Sequence, residues 1–434
     1  MKRILHFILY WLARFILIRR SPQVIGITGS VGKTSTKDAI AVVLSRKLQV
    51  RATQENYNNE IGVPLTIIGS VSGGRNPFRW LYIFCRAVII GLFTFLPYPE
   101  VLVLEMGVDK PGDLKYLLKI APVDIGIVTA ITETPAHLQW FKDVEQLAKE
   151  KFTMYKFVDK IGLAIINNDE PKALALGDTL KGLSTSIGIE QAADLMATAI
   201  NFAFDPHNDQ AADNRQAGLR FKFNYQGNIV PVFIPGVIGK PTVYSALFAA
   251  AVGLQYDINL VDISTALQHY KTPRGRMHVL SGINNSTIID DSYNASPAAV
   301  RSAIITLQAL TTTGRKIVCL GEMAELGKGS QAAHLAIGKL VSQAEVDGLI
   351  VVGETAAAIA KGALQAGLPA EAIQQFENSV AAGEALAKQL QEHDVLLVKG
   401  SQIARMEKTV KVCLAQPEQA EQLLVRQYGN WLSI

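Results

Sequence analysis

Cysteine is scarce: Cys85, Cys319 and Cys413 are the three in 434 residues. They are too few and too scattered for a disulfide framework or a zinc ribbon, and read as buried thiols in a reducing compartment. Charge is also thin, at 18% of residues against a usual quarter. The net charge of +4 is small for the length. It excludes a polybasic wrapper of nucleic acid, so no nucleic-acid partner is expected. Internal repeats and low-complexity tracts are missing too. What is present is a globular mixture, 49% apolar with 34 Gly and 17 Pro. At roughly 150 residues per domain the length suggests about three domains. Such a chain buries a large core without disulfide or metal staples.

The mean hydropathy is positive, +0.20, and two stretches supply the excess. Residues 4–18 are apolar except for His6, Tyr10 and Arg14; on a helix these share a narrow stripe with Arg3. In 77–98 the polar residues Arg79, Tyr82 and Arg86 share a stripe with Arg75. The first segment is short for a bilayer span, which needs about 20 apolar residues, and the second carries Arg86 inside it. A secretory signal is not expected, since no small-residue cleavage site follows and a strand starts almost at once at Val24. Two readings stay open. The helices lie in a membrane interface with basic edges toward anionic headgroups, or they pack on each other and on the domain.

From Ser21 onward the pattern is strand, glycine turn, helix, repeated. Residues 24–28, 101–106, 124–131 and 163–168 read as strands, and 143–158 as a helix. The expected fold class is α/β: a P-loop-type central ATPase domain with a doubly wound, mostly parallel sheet, then a C-terminal Rossmann-like α/β domain. Residues 185–235 read as an antiparallel appendage with a Gly-Asn turn, closed by a helix around 242–254. Four apolar strands, at 287–293, 316–323, 348–354 and 394–400, build the last domain. The expected divisions are an amphipathic helix over 1–21, a central domain over 22–272 with a greasy insertion at about 75–98, and a C-terminal domain over 273–434.

The strongest motif is GITGSVGKTSTK, residues 26–37. A glycine-rich turn between strand and helix leaves backbone N–H groups for phosphate oxygens. Thr28, Gly29, Ser30, Gly32, Lys33, Thr34 and Ser35 are the candidate nucleotide residues. Lys33 reaches the terminal phosphates and the Thr34 hydroxyl holds Mg²⁺. The strict G-x-x-x-x-G-K-[ST] pattern is not met, because Ile27 stands where its first glycine belongs. Glu105 ends an apolar strand, where α/β sheets bind ligands and a carboxylate serves Mg²⁺. His137 follows another strand, Lys151 lies on a helix, and Asp290 and Asp291 end a strand of the last domain. Arg276, between the domains, is a cation able to reach a phosphate.

Together these residues resemble the Mur ligase family, the ATP-dependent amide ligases of peptidoglycan precursor synthesis. The resemblance covers about residues 22–415. Its blocks, in order, are TGSVGKTSTK, ENYNNEIGVPLT, LEMGVDKPGDL, PAHL, INNDEP, GR at 275–276, IDDSYNASP, LGEMAELG and VKGS. Three of them are characteristic of the branch that joins D-Ala-D-Ala to a UDP-muramoyl-tripeptide. The resemblance implies those two compounds as partners and an acyl-phosphate mechanism: a substrate carboxylate attacks the γ-phosphate of ATP, and an amine then displaces phosphate. It implies that Lys33 and Thr34 serve ATP and Mg²⁺, and that Glu105 and His137 are Mg²⁺ ligands. Lys151 matches the lysine that the family carbamylates, to hold a second Mg²⁺. Arg276, Asp291 and Asn294 match ATP-binding positions of the C-terminal domain, and Asn58, Asn59 and Glu60 substrate-binding ones.

The sequence also departs from the family's pattern. It reads as lacking the domain that holds the uridine part of the substrate, with segment 1–20 in its place. The adenine-side block H-N-x-x-N-A-L is here Pro241-Thr242-Val243-Tyr244-Ser245-Ala246-Leu247, without either asparagine. Phe152 follows Lys151 where relatives carry glycine, and Gln402 replaces an arginine. The expected protein is a cytoplasmic ligase, at the inner face of the membrane if residues 1–20 and 75–98 touch lipid. The alternatives are a related ligase for a lipid-linked or other non-UDP carboxylate, and a non-catalytic, membrane-associated nucleotide-binding protein.

Overall fold

The computed structural model describes residues 2–54, 57–131, 140–158, 162–177, 179–203 and 218–432. They divide into two compact units. Unit 1 comprises Met1–Ala199, Phe221–Val232 and Thr242–Tyr270; unit 2 comprises Ile200–Arg220, Phe233–Pro241 and Lys271–Ile434.

The first sheet has nine strands in the order β2-β3-β1-β4-β5-β6-β7-β8-β9. These are β1 Gln23–Thr28, β2 Val50–Ala52, β3 Val101–Glu105, β4 Ile125–Val128, β5 Leu163–Asn167, β6 Leu183–Gly188, β7 Leu195–Ala203, β8 Gly218–Tyr225 and β9 Asn228–Pro235. β3, β4 and β5 are buried along their whole length, and β1 after its first residue. This explains their continuous apolar runs: strands covered by helices on both faces need no polar alternation. β1 lies between β3 and β4, both parallel to it. The chain leaves β1 first toward one side and later toward the other, which makes the carboxyl end of β1 the switch point where such sheets bind ligands. Parallel pairing continues through β6 and β7. That corrects the antiparallel reading of 185–235 over its first half. β8 and β9 meet at Gln226 and Gly227, both at positive φ, one residue earlier than the expected Gly-Asn turn.

Seven helices of unit 1 bear on the argument: α1 Lys2–Arg20, α2 Lys33–Leu44, α3 Gly62–Ile68, α4 Pro77–Leu92, α5 Asp113–Ile120, α6 Val144–Lys151 and α7 Thr153–Val158. The single helix expected over 143–158 is two, broken at Phe152. α1 buries Leu9, Ala13, Ile16 and Leu17, and α4 buries Ile83, Ala87 and Ile90, in one core with the sheet. That spacing is one helical face on each, and a fully buried side chain of this size contributes roughly 1.5–3 kcal/mol. Both greasy segments therefore pack on the unit through one face. No described helix is long and apolar enough to cross a membrane. Cys85, expected to be buried, is exposed on the opposite face of α4, while Cys319 and Cys413 are buried.

Unit 2 holds a six-stranded sheet in the order β10-β11-β15-β12-β13-β14. The strands are β10 His278–Ser281, β11 Thr287–Asp291, β12 Lys316–Gly321, β13 Gly348–Val352, β14 Ile373–Phe376 and β15 Val395–Lys399. Only β10 is antiparallel to its neighbour. Four of the six are the expected apolar runs. β10 and β14 are edge strands, and the half-exposed IQQF of β14 carries no apolar run to read.

Candidate active site

The loop after β1 is shaped by two glycines. Gly29 has φ 146° and Gly32 φ 84°, a region that side chains avoid. A Cβ on Gly29 would lie 2.0 Å from the Thr129 hydroxyl, so the close approach also excludes one. Thr129 fastens the loop: its hydroxyl donates to the Val31 carbonyl at 2.5 Å, and its N–H to the Thr28 carbonyl at 2.9 Å. Gly32 is the N-cap of α2 and no side chain caps that end, which leaves the first turn of a 12-residue helix to an anion. Thr28 Oγ1 and Ser30 Oγ are buried without a hydrogen-bond partner among the described residues. Polar atoms left so are costly unless a ligand meets them. Ser35 is half-buried in the first turn of α2.

Five side chains converge on this loop and the start of α2. Thr34 Oγ1 donates to Glu105 Oε2 at 2.9 Å, because the register of β1 and β3 places Glu105 beside Ile27. Asn58 Nδ2 donates to the other oxygen, Oε1, at 3.2 Å. Lys33 Nζ and Lys151 Nζ both donate to the Gly29 carbonyl, at 2.8 and 2.7 Å. Lys151 is buried on α6, and burial and then the Lys33 charge push its amine well below the usual lysine range, against Asp109. A hydroxyl beside a carboxylate suits Mg²⁺, which takes one or two carboxylates and keeps its waters. Asn59 Oδ1 accepts from the Ile61 and Gly62 N–H groups, at 3.1 and 2.9 Å, and so shapes the entry to α3. Glu60 lies near enough to Tyr116 to act on its phenol. His137 lies outside the described residues.

Two side chains of the 241–247 segment have partners within unit 1. Tyr244 donates to Asp169 Oδ2 at 2.9 Å, and the Ser245 and Thr36 hydroxyls are 3.3 Å apart.

A second cluster belongs to unit 2. Lys399 Nζ pairs with Asp291 Oδ2 at 2.6 Å and donates to the Asn294 carbonyl at 2.9 Å. The Arg276 guanidinium lies over the Tyr293 ring, 4.3 Å from its centroid. The buried Glu407 carboxylate pairs with Arg405 at 2.5 Å and Arg426 at 2.7 Å. Arg426 in turn donates to the Ser292 and Tyr293 carbonyls, at 2.7 and 3.0 Å. This network fixes the loop that carries Asn294. Arg276, Asp291 and Asn294 are thus gathered by the fold, as are Lys33, Thr34, Glu105 and Lys151 in unit 1. Thr129, Asn58 as a Glu105 partner, and Glu407 were not singled out from sequence for these parts. A threonine or glutamate has no local signature for such contacts.

Comparison with known proteins shows the family to which the chain belongs. The chain matches the Mur ligase middle domain over residues 27–73 and 92–253, and the Mur ligase glutamate ligase domain over 275–402. It is 30% identical to the UDP-N-acetylmuramoyl-tripeptide–D-alanyl-D-alanine ligase of Mycobacterium leprae (strain TN), over 89% of this chain and 72% of that one. Identity to the Bacillus subtilis (strain 168) ligase of the same name is 28%, over 94% and 79%. The fold matches a crystal structure of MurF from Acinetobacter baumannii with a TM-score of 0.74 at 24% identity, covering 93% and 79%. It matches MurF ligase from Thermotoga maritima in complex with ADP equally, at 0.74 and 24%, covering 95% and 84%. The chain belongs to the Mur ligase family.

Proposed function

We propose that the protein is a cytoplasmic, ATP-dependent carboxylate–amine ligase that joins D-Ala-D-Ala to a UDP-muramoyl-tripeptide. The observation that carries this reading is the convergence on one loop of the Thr34–Glu105 pair and two lysine amines, one of them buried. A non-catalytic nucleotide-binding module has no need of a desolvated amine there.

In the proposed reaction a carboxylate oxygen attacks the γ-phosphorus of ATP and ADP leaves. The amine nitrogen then attacks the acyl carbon, and inorganic phosphate and a proton depart. Two anions must meet in the first step, so the protein has to offset their repulsion. The N-terminus of α2 and the Lys33 ammonium face the phosphates, with Thr129 holding the loop still. The Thr34 hydroxyl and the Glu105 carboxylate would hold Mg²⁺, which supplies charge neutralisation on the transferred phosphoryl group. Asn58 orients Glu105 by its hydrogen bond to Oε1. Lys151 is assigned a carbamate. A depressed amine is neutral in a larger share of molecules at neutral pH, and only the neutral amine has the lone pair that bonds to CO₂, losing a proton to give an anion. Arg276, Asp291 and Asn294 are assigned to the nucleotide on the family's pattern, and Asn59 and Glu60 to the carboxylate substrate.

The test is ADP release by the purified protein with ATP, Mg²⁺ and UDP-muramoyl-tripeptide, with and without D-Ala-D-Ala. Release should require both substrates and should fall by about 100-fold or more in Lys151→Ala, the scale expected of a group acting in the transition state. Release without the dipeptide, or at an unchanged rate in the variant, would sink the reading.

A further inference from the structure

α1 and α4 each have a second apolar face, which points to water. Phe7, Trp11 and Ile18 of α1 are 65%, 56% and 65% exposed; Phe78 and Leu81 of α4 are 80% and 59%, and Phe95 just beyond it 81%. The helices lie against each other, for Gly91 of α4 meets the Phe15 ring so closely that a Cβ there would be 2.1 Å from it. Both inward faces join one core, so both outward faces look away from it. An apolar patch of this kind on a folded surface marks something that covers it.

The charge around it says what. Residues 1–22 and 71–99 hold eight of the 42 basic residues and none of the 38 acidic ones, which leaves the rest of the chain net negative by four. Arg20 is occupied at the end of α4, donating to the carbonyls of Ile90, Phe93, Thr94 and Leu96, but Arg3 of α1, Arg79 of α4 and Arg75 just before α4 are exposed. The matched middle domain omits residues 74–91 and begins at 27. α1 and all of α4 but Leu92 thus lie outside the residues that match the family's middle domain. α4 has 16 residues, about 24 Å of helix against a hydrocarbon core of about 30 Å. With its inward face committed to the core, each helix can offer a membrane only its side.

We propose that the outward faces of α1 and α4 form one docking surface for an anionic bilayer. The aromatic and aliphatic side chains enter the headgroup boundary, and the edge arginines meet acidic headgroups. The surface is independent of the ligase chemistry assigned above.

Flotation of the full chain with vesicles tests it, using phosphatidylcholine alone and an equimolar mixture with phosphatidylglycerol. The protein should float with the mixed vesicles, less so as salt rises, and Trp11 fluorescence should be quenched by brominated lipid. Phe7→Ser with Phe78→Ser should weaken binding by about tenfold or more. Arg75→Glu with Arg79→Glu should abolish the preference for phosphatidylglycerol. In both pairs turnover of the soluble substrates, or melting with ADP if there is no turnover, should match wild type and so exclude misfolding. The proposal is overturned if the protein stays unbound with both vesicles. It is equally overturned if light scattering shows a dimer that Phe7→Ser with Phe78→Ser converts to monomer, since the face then meets a second copy.

Discussion

Asp290 shows what a single buried charge does in this molecule. It is fully buried at the end of β11, and burial pushes its carboxyl up to about 6 despite the Ser292 N–H that donates to it at 3.1 Å. Its other oxygen has no partner among the described residues. An unfolded chain releases this proton near pH 4 and the folded one near 6. Between those values the folded state binds more protons, so stability falls as pH rises through the window and stays lower above it. Asp290→Asn should remove that loss. Urea midpoints at pH 4 and 7.5 should differ less in the variant, by an amount worth about 1–3 kcal/mol; an equal drop in both proteins would refute the argument. Sequence shows two adjacent acids in IDDSYN and nothing to tell them apart. A strand points neighbours to opposite faces, and Lys399 meets Asp291 alone. The same limit hid the burial of Lys151, which the family resemblance singles out but whose helix spacing is that of any solvated lysine.

Elements were far more legible. Apolar runs gave the central strands, since a strand covered on both faces needs no alternation. The greasy segments are the helices expected, but their periodicity could not say which face turns inward. The neighbours decide: Tyr10, read as part of a polar stripe, lies against Tyr116 with ring centroids 6.1 Å apart. The end of α4 is held from outside as well. Its last carbonyls have no partners within the helix; Arg20 donates to that of Ile90, and it ties down the chain just beyond the helix at Phe93, Thr94 and Leu96. Arg20→Ala should cost about 1–3 kcal/mol. Hydrogen exchange should speed up at the amides around residue 90 and leave β1 protected. Equal exchange in the variant and wild type would show that the cap is idle.

At the scale of the whole molecule, the phosphate loop lies in one compact unit with Glu105 and Lys151, while Arg276, Asp291 and Asn294 lie in a second. A nucleotide that binds the folded loop and not the unfolded chain stabilises by mass action, about 2.7 kcal/mol at a hundredfold excess over its Kd. Calorimetry with ADP and Mg²⁺ should raise the melting temperature, and Lys33→Ala should cancel most of the rise. An equal rise in the variant would remove Lys33 from the phosphates.

Pattern along the chain was enough for the strand–loop–helix around Gly29, because burial periodicity and glycine's freedom at positive φ act over a few residues. The buried amine of Lys151 was beyond its reach. That amine meets the Gly29 carbonyl across 122 positions, and Glu105 meets Thr34 across 71. Those meetings, and the depressed amine that follows from one of them, exist only once the sheet has closed and water has been excluded from the carboxyl end of β1.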